Sequence, residues 1–322
     1  ATTLNTTNAA VLLGGKLNNN TASAEALTVN AGNGAVTFTG TVGDAVGTNN
    51  GPMGALAVNT TGATTLVSTV DAASVTTNAG GTVVIKGGRV TTSGAQTYND
   101  DVLLDNAAAR ATVLNTTNAA VMLGGKLNNN TTNAEALTVN AGSGDVTFTG
   151  TVGDAVGTNN GPMGALAVNT TGATTLVSTV DAASVTTNTG GTVVIQGGRV
   201  TTSGVQTYND DVLLDNAAAR ATVLNTTNAA VLLGGKLNNN NTANAEALTV
   251  NAGSGAVTFT GAVGDAVGTN NGPMGALAVN TSGATTFVDT VDAASVTTNQ
   301  GGTVVIKGGR ITTSGAQTYN DD

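Results

Sequence analysis

Short stretches in which apolar and polar residues alternate recur along the whole chain. Five such stretches lie in the first 110 residues, and each ends in Asn. In the second one, Leu27 and Val29 fall on one face and Thr28 falls on the other. This period-two alternation is typical of a β-strand with one buried face, and it therefore predicts five strands. The five stretches are 1–5, 26–30, 55–59, 74–78 and 95–99.

Two further strands are predicted after these stretches. Gly- or Asn-rich corners separate the strands, and both residue types favour tight turns. Three strands and three corners in about 22 residues make one coil of a parallel β-helix. We expect a right-handed coil, because parallel crossovers are nearly always right-handed. The second strands are 35–39, 63–67, 82–86 and 101–105, and the third strands are marked by Leu17, Val42, Val70 and Val90.

The whole pattern is repeated at a period of 110 residues. Residues 111–220 differ from 1–110 at nine positions, and residues 221–322 form a third, incomplete copy. A long period of this kind is the signature of a solenoid, in which each coil contacts only its neighbours. We expect an all-β, right-handed parallel β-helix of about 15 coils, with five coils per repeat and no independent domains. Neither end shows a cap, so we also expect a longer array.

The composition narrows the classes of partner. Hydrophobic residues make up 40% of the chain and aromatic residues only 2%, and Cys and His are absent. The formal net charge is −9, which argues against a nucleic-acid partner, because nucleic-acid binding needs clustered Lys and Arg. No apolar run approaches the length of a membrane helix, and no signal peptide is recognisable. We expect no disulfide and no membrane insertion in this segment.

The Asn that ends each stretch predicts a structural ladder. Amides stacked at one corner can hydrogen-bond from coil to coil, and Asn tolerates the left-handed conformation that corners often need. Glycosylation is the alternative, since Asn5 and Asn59 lie in acceptor sequons. The predicted ladder residues are Asn5, Asn30, Asn59, Asn78, Asn99, Asn115, Asn140, Asn169, Asn188, Asn209, Asn225, Asn251, Asn280, Asn299 and Asn320.

Two segments of each repeat are too long for a minimal coil and are predicted to project as loops. They are 18–25 and 43–54 in the first repeat. The third copy carries one extra Asn within 238–241, which supports the first loop, because insertions settle where backbone is exposed. The second loop is the candidate binding surface, and its candidate residues are Asp44, Asn49, Asn50, Pro52 and Met53.

Catalytic chemistry finds little support. Without His there is no Ser-His-Asp triad and no His metal ligand. The carboxylates Asp100, Asp101 and Asp105 lie close in sequence, but a glycosidase site usually adds aromatic platforms, which this chain nearly lacks. We expect no enzyme and no cofactor. Calcium is an alternative, with Asp44, Asp100 and Asp101 as candidate ligands, although no known calcium-binding spacing is present.

Outward-facing apolar residues suggest lateral association. Leu12, Val84 and Leu103 are predicted to face outward on consecutive coils, with the counterpart of Leu12 in the next repeat completing the set. Such a stripe would recur once per repeat and favour contact with a second copy. A register error of one residue is the alternative interpretation, because it would turn these side chains inward.

The repeats resemble those of giant bacterial β-strand-repeat surface proteins and filamentous-haemagglutinin-like adhesins. The resemblance rests on the runs 27–32, 36–40, 80–85 and 91–100. It implies a right-handed β-helix, export to the cell surface, and a role in adhesion, biofilm matrix or extracellular fibres. We expect a rigid extracellular rod or fibre that associates with itself laterally or end to end. The alternatives are an adhesin stalk that binds surface glycans or host receptors through its loops and, more distantly, a carbohydrate-active β-helix enzyme.

Overall fold

The chain is a parallel β-solenoid, which confirms the predicted fold class. The computed structural model describes residues 1–20, 23–44, 51–106, 111–130, 133–154, 161–216, 221–240, 245–265 and 272–322. Within these ranges the chain forms β-strands and no helix, and the strands pair in parallel with strands of the neighbouring coils. Two compact units are distinguished, residues 1–172 and 173–322.

The strands are short, as expected for a coil built from three strands. Stacked strands of successive coils form the three faces of the solenoid, which we call its walls. Those of the first unit are β1 (Thr2–Asn5), β2 (Val11–Leu13), β3 (Leu27–Gly32), β4 (Val36–Phe38), β5 (Met53–Thr60), β6 (Ala63–Leu66), β7 (Val70–Thr77), β8 (Thr82–Ile85), β9 (Arg89–Thr92), β10 (Gln96–Tyr98), β11 (Asp101–Leu104), β12 (Thr112–Thr116), β13 (Val121–Leu123), β14 (Leu127–Asn129), β15 (Leu137–Gly142), β16 (Val146–Phe148) and β17 (Met163–Thr170). Those of the second unit are β18 (Ala173–Leu176), β19 (Val180–Thr187), β20 (Thr192–Ile195), β21 (Arg199–Thr202), β22 (Gln206–Tyr208), β23 (Asp211–Leu214), β24 (Thr222–Thr226), β25 (Val231–Leu233), β26 (Leu237–Asn239), β27 (Leu248–Gly253), β28 (Val257–Phe259), β29 (Met274–Thr281), β30 (Ala284–Phe287), β31 (Val291–Thr298), β32 (Thr303–Ile306), β33 (Ile311–Thr313) and β34 (Gln317–Tyr319).

Each coil of the first unit contributes one inward side chain or more to each of three stacks. Alternation along the strands turns the apolar residues inward, and nearly all of them are buried. We call the stacks A, B and C. Stack A contains Leu4, Val29, Val58, Thr77, Tyr98, Leu123 and Phe148; stack B contains Leu13, Phe38, Leu66, Ile85, Leu104 and Asn129; stack C contains Leu17, Val42, Val70, Val90, Leu114, Val139 and Val168.

Successive repeats do not use the same walls of the coil. Leu4 lies in stack A, whereas Leu114, its equivalent in the second repeat, lies in stack C above Val90. Four complete coils separate Leu17 from Leu114, which lies on the same wall. The chain then passes two more walls before it reaches Leu127, the equivalent of Leu17 in the second repeat. A repeat therefore spans four and two-thirds coils. This value rounds to the predicted five, but it moves every equivalent residue to a different wall.

The second unit contains the same advance at its own repeat boundary. Leu224 lies above Val200, as Leu114 lies above Val90, and Leu233 lies above Tyr208. The advance has a simple origin, because each repeat supplies five segments to each of two walls and only four to the third. A total that is not a multiple of three cannot return the chain to its starting wall.

The solenoid interior is mostly aliphatic, but it also contains polar groups. The buried Tyr98 hydroxyl donates a hydrogen bond to Gln96 (3.0 Å), and the Gln96 amide donates to the backbone carbonyl of Asn115 (2.8 Å). Several inward Thr hydroxyls, including that of Thr64, have no hydrogen-bond partner. Thr64 occupies a position where the coils on either side place Val36 and Val83.

Candidate functional site

Three Asn side chains per repeat form a hydrogen-bonded ladder on the outside of the coils. The Asn30 amide nitrogen donates to the side-chain oxygen of Asn5, and the Asn59 amide donates to Asn30, each at 2.7 Å. The register explains the contact, since the Cα atoms of these residues are paired across β1, β3 and β5. The same 2.7 Å contacts link Asn115, Asn140 and Asn169, and Asn225, Asn251 and Asn280.

The ladder ends after its third rung, which differs from the prediction of five rungs. Asn78 turns to the backbone, where its side-chain oxygen accepts the Thr60 N–H (2.7 Å), and Asn99 donates to the Thr77 carbonyl (2.7 Å). Asn115 does not continue from Asn99, because the two residues lie on different walls. The equivalents behave alike: Asn188 and Asn299 donate to the next residue's carbonyl, and Asn209 and Asn320 donate to Thr187 and Thr298.

The left-handed corner conformation belongs to another Asn, which the sequence patterns did not single out. Asn8 has a φ of 59°, and its side-chain oxygen accepts the backbone N–H of Asn33 (3.0 Å). Among the described residues other than Gly, positive φ occurs at Asn8, Asn118 and Asn228. The sequence signal for this corner was the Asn-Ala-Ala run at 8–10, which follows the first ladder residue and recurs in each repeat.

Substitution of the central ladder residue tests the ladder. Asn30→Ala removes two side-chain hydrogen bonds, and we expect the free energy of unfolding to fall by about 1–2 kcal/mol. Urea unfolding followed by far-UV circular dichroism measures the change. Asn33→Ser is the matched control, since residue 143 is Ser in the second repeat. A loss for Asn30→Ala no larger than that for Asn33→Ser would show that the ladder contributes nothing to stability.

The predicted loop residue Asp44 is tied to the wall of the coil. Its carboxylate forms an ion pair with Lys16 (2.6 Å) and accepts a hydrogen bond from Asn18 (2.5 Å). The Lys16 ammonium holds the pKa of Asp44 below its ordinary value. Equivalent ion pairs join Lys126 to Asp154 and Lys236 to Asp265. Lys16 therefore occupies the place that a cation bound by Asp44 would need.

Parts of the two predicted loops belong to the coil itself. Asn19 is buried, and its side chain bridges the carbonyl of Pro52 (2.6 Å) and the N–H of Glu25 (2.8 Å). Met53 starts β5 and is 4% exposed, so its prediction as a surface residue was wrong. The Met53 thioether is apolar and needs no hydrogen-bond partner, which explains why this side chain faces the interior. Asn49, Asn50 and the extra Asn at 241 lie outside the described residues.

The proposed calcium ligands do not converge. Asp100 is 1% exposed and accepts the Gly81 N–H (2.7 Å), whereas Asp101 is exposed and accepts the Lys126 N–H (2.8 Å). The two are successive residues and engage different backbone partners. Among the described residues no group of three or more Asp, Glu, His or Cys could hold a metal ion.

The predicted apolar stripe is interrupted. Val84 and Leu103 are neighbours, but the next outward position on that wall is Asn128. The next repeat's equivalent of Leu12 is Met122, which lies beside Thr97 on another wall because of the advance between repeats. Leu12 itself is 69% exposed and is separated from Val84 by two threonines. The structure therefore brings two of the three residues together.

A shallow groove recurs beside the second predicted loop. In the first unit it measures about 200 Å³, and it is lined by residues that include Pro52, Asp71, Thr92 and Ser93. In the second unit the equivalent groove measures about 430 Å³. The Arg89 guanidinium stands by it and donates two hydrogen bonds to Asp71 (2.7 and 2.8 Å). Small side chains and hydroxyls form the groove, with one fixed ion pair at its edge.

The fold and these contacts define a β-solenoid repeat protein. No protein-family model, curated protein or solved structure matches the chain. In the described part of the chain, no helix is long and apolar enough to cross a membrane.

Proposed function

We propose that the chain is a structural segment of a secreted or cell-surface repeat protein and forms a rigid extracellular rod or fibre. The observation that carries this proposal is the continuous parallel pairing from one coil to the next in each unit. Each coil adds about 4.8 Å in the pairing direction, so the solenoid becomes longer with every coil that is added. Repetition at near identity adds length without adding a new kind of site.

The use of the charged side chains supports a mechanical role. The ion pairs Lys16–Asp44, Lys86–Asp105 and Arg89–Asp71 each join residues that lie on different coils. The cations of these pairs are exposed to solvent, so each pair by itself contributes little to stability. All three ion pairs run along the stack, so together with the Asn ladder they hold neighbouring coils together.

Self-association is part of the proposal, with a second copy of the chain as partner. The shift between repeats, two walls beyond four full coils, gives it a particular form. Leu12 and Met122 are equivalent in sequence and exposed, yet they lie on different walls of the first unit. A contact made by such residues recurs on different sides of the solenoid. This arrangement favours bundles with several neighbours over a flat ribbon joined along one face.

Electron microscopy of the native assembly tests the proposal. We expect regular lateral or end-to-end packing of thin rods. Variants Leu12→Lys and Met122→Lys should loosen lateral packing, and Thr37→Lys, on the same wall as Leu12, is the matched control. Isolated rods with a distal tip would contradict the fibre and favour an adhesin stalk. Globular particles would contradict both.

The second candidate function is adhesion through the groove. It is supported by the recurrence of the groove in both units and by the resemblance to surface adhesins. Its hydroxyls and fixed ion pair suit a polar ligand such as a surface glycan. A glycan array probed with the purified chain tests it. Ser93→Arg, with Arg at the equivalent Ser203 and Ser314, should abolish binding, and Thr61→Arg should not.

The array also distinguishes the two candidates. Binding that survives the groove substitutions would assign adhesion to another surface. Failure of the unmodified chain to bind any glycan would remove glycan adhesion and leave the structural role untouched. A carbohydrate-active enzyme is the most distant alternative, and release of reducing sugar from arrayed glycans is the result that would support it.

A further inference from the structure

A buried carboxyl group follows the fifth Asn stretch in each of the first two repeats. Asp100 is 1% exposed in the first unit, and Asp210 is 2% exposed in the second. Each is followed by an exposed Asp, so that the pair Asp-Asp points one carboxyl inward and one outward. A buried, ionised carboxylate is costly unless donors or a counter-charge surround it.

The inward carboxyl has too few donors for a charged group. Asp100 accepts one hydrogen bond at Oδ1, from the Gly81 N–H (2.7 Å), and its Oδ2 is buried without a partner. The hydroxyl of Thr77 is buried nearby and is likewise without a partner. Asp210 repeats the arrangement, with Gly191 donating at 2.8 Å and Thr187 in the place of Thr77.

The charged group that acts on this carboxyl has the wrong sign to stabilise an anion. Burial is the largest effect and raises the pKa of Asp100 and of Asp210 above the ordinary value. The Gly81 N–H lowers the pKa of Asp100, and so does the Thr77 hydroxyl, which is near but does not meet hydrogen-bond geometry. The charge of Asp101 raises it. No Lys or Arg contributes at either carboxyl among the described residues.

We propose that Asp100 and Asp210 are proton-binding sites: each holds a proton more tightly in the stacked coil than in the unfolded chain, and acid therefore favours the folded solenoid. In the protonated form, Oδ2–H becomes a donor inside the coil, and the Thr77 or Thr187 hydroxyl is a polar group available to accept it. The proton comes from solvent and no covalent bond other than O–H is formed.

The direction of the pH dependence follows from linkage. A carboxyl whose folded-state pKa is raised contributes stability that is complete below its ordinary value, and this stability is lost as pH rises through the folded-state value. Other carboxyls act in the opposite sense. Asp44, Asp105 and Asp154 have lowered pKa values, so their contribution is present above the ordinary value and is lost as pH falls. The buried pair must therefore be isolated by a difference measurement.

The test compares the unmodified chain with the double variant Asp100→Asn and Asp210→Asn by urea unfolding between pH 4 and pH 8. Asn keeps the acceptor for the glycine N–H and cannot ionise. At pH 7 we expect the unfolding equilibrium constant of the variant to be lower by about five- to thirtyfold per site. This advantage should shrink as the pH approaches 4. An advantage that does not change with pH would overturn the proposal.

Two controls keep the result interpretable. Asp101→Asn and Asp211→Asn change the exposed neighbours and leave the inward carboxyls in place, so at pH 7 they should stabilise the chain less than Asp100→Asn and Asp210→Asn do. Carbon-13 NMR of the unmodified chain, labelled at the Asp carboxyl carbons, does not depend on whether a variant folds. Two Asp signals should titrate above the ordinary pKa of 3.8. If all Asp signals titrate at or below it, the proposal is wrong.

Discussion

Phe259→Ala is expected to lower the free energy of unfolding by about 3–5 kcal/mol, the largest effect of any substitution considered for this chain. Phe259 is 1% exposed, and its ring stacks on that of Phe287 in the next coil, with centroids 5.2 Å apart. Truncation removes this contact and leaves a cavity between paired strands that cannot close without breaking backbone pairing. Thermal and urea unfolding followed by circular dichroism measure the loss.

The repeats provide matched controls for this substitution. The first repeat places Leu66 where the third has Phe287, with Phe38 paired to it. Phe287→Leu therefore restores a combination that the chain already uses, and we expect it to cost less than about 1.5 kcal/mol. Val288→Ala changes an exposed side chain and should change stability by less than about 0.5 kcal/mol. Equal effects of Phe259→Ala and Phe287→Leu would contradict the packing account.

Replacing three buried threonines by valine is expected to stabilise the solenoid. Thr64, Thr174 and Thr285 are equivalent, are at most 2% exposed, and have hydroxyls without a hydrogen-bond partner. An unsatisfied buried polar group costs about 1–3 kcal/mol, and valine has nearly the same shape. The three sites are far apart in the chain, so their effects should add. The triple variant should gain about 3 kcal/mol or more, seen as a higher melting temperature.

The neighbouring outward threonines are the control for this prediction. Thr65, Thr175 and Thr286 lie on the same strands but face the other side. Valine at these positions removes no buried polar group, so the expected change is within about 0.5 kcal/mol. A destabilised inward variant would show that the buried hydroxyls have partners in solution, for example internal water.

The strands were predictable from the sequence because alternation and corner residues act locally. The stretch 26–30 became β3, and the stretch 82–86 became β8, each with its apolar residues inward. Stacking of the short third wall could also be anticipated, since Val42, Val70 and Val90 recur in order. These features require only that apolar side chains avoid water and that Gly or Asn turn the corner.

The shift of two walls beyond four full coils in each repeat was not recognised, because it depends on counting walls through the whole repeat. The stretch 95–99 resembles the stretch 111–115, and similarity suggested that one stacks on the other. In the structure Tyr98 is followed instead by Leu123, and Leu114 rests on Val90. The available signal was the third wall, which has four segments per repeat where the others have five.

The roles of individual polar residues were the hardest to predict. Asn18 and Asn19 look like loop residues, but their amides satisfy backbone and carboxylate groups within the coil. Asp100 and Asp101 look like one acidic pair, but successive residues of an extended chain point to opposite sides. Such assignments depend on partners about one coil away in sequence, which local pattern does not reveal.

Engineered disulfides test the central claim, that a repeat spans four and two-thirds coils. The chain has no cysteine, so introduced pairs report cleanly. Paired residues on adjacent parallel strands lie about 4.8 Å apart, within the range a disulfide can bridge. The structure pairs Thr97 with Met122, whereas a repeat of exactly five coils, with equivalent residues in line, would instead pair Leu103 with Met122. The account predicts that Thr97→Cys with Met122→Cys forms a disulfide under mild oxidation and that Leu103→Cys with Met122→Cys does not; the reverse result would contradict it.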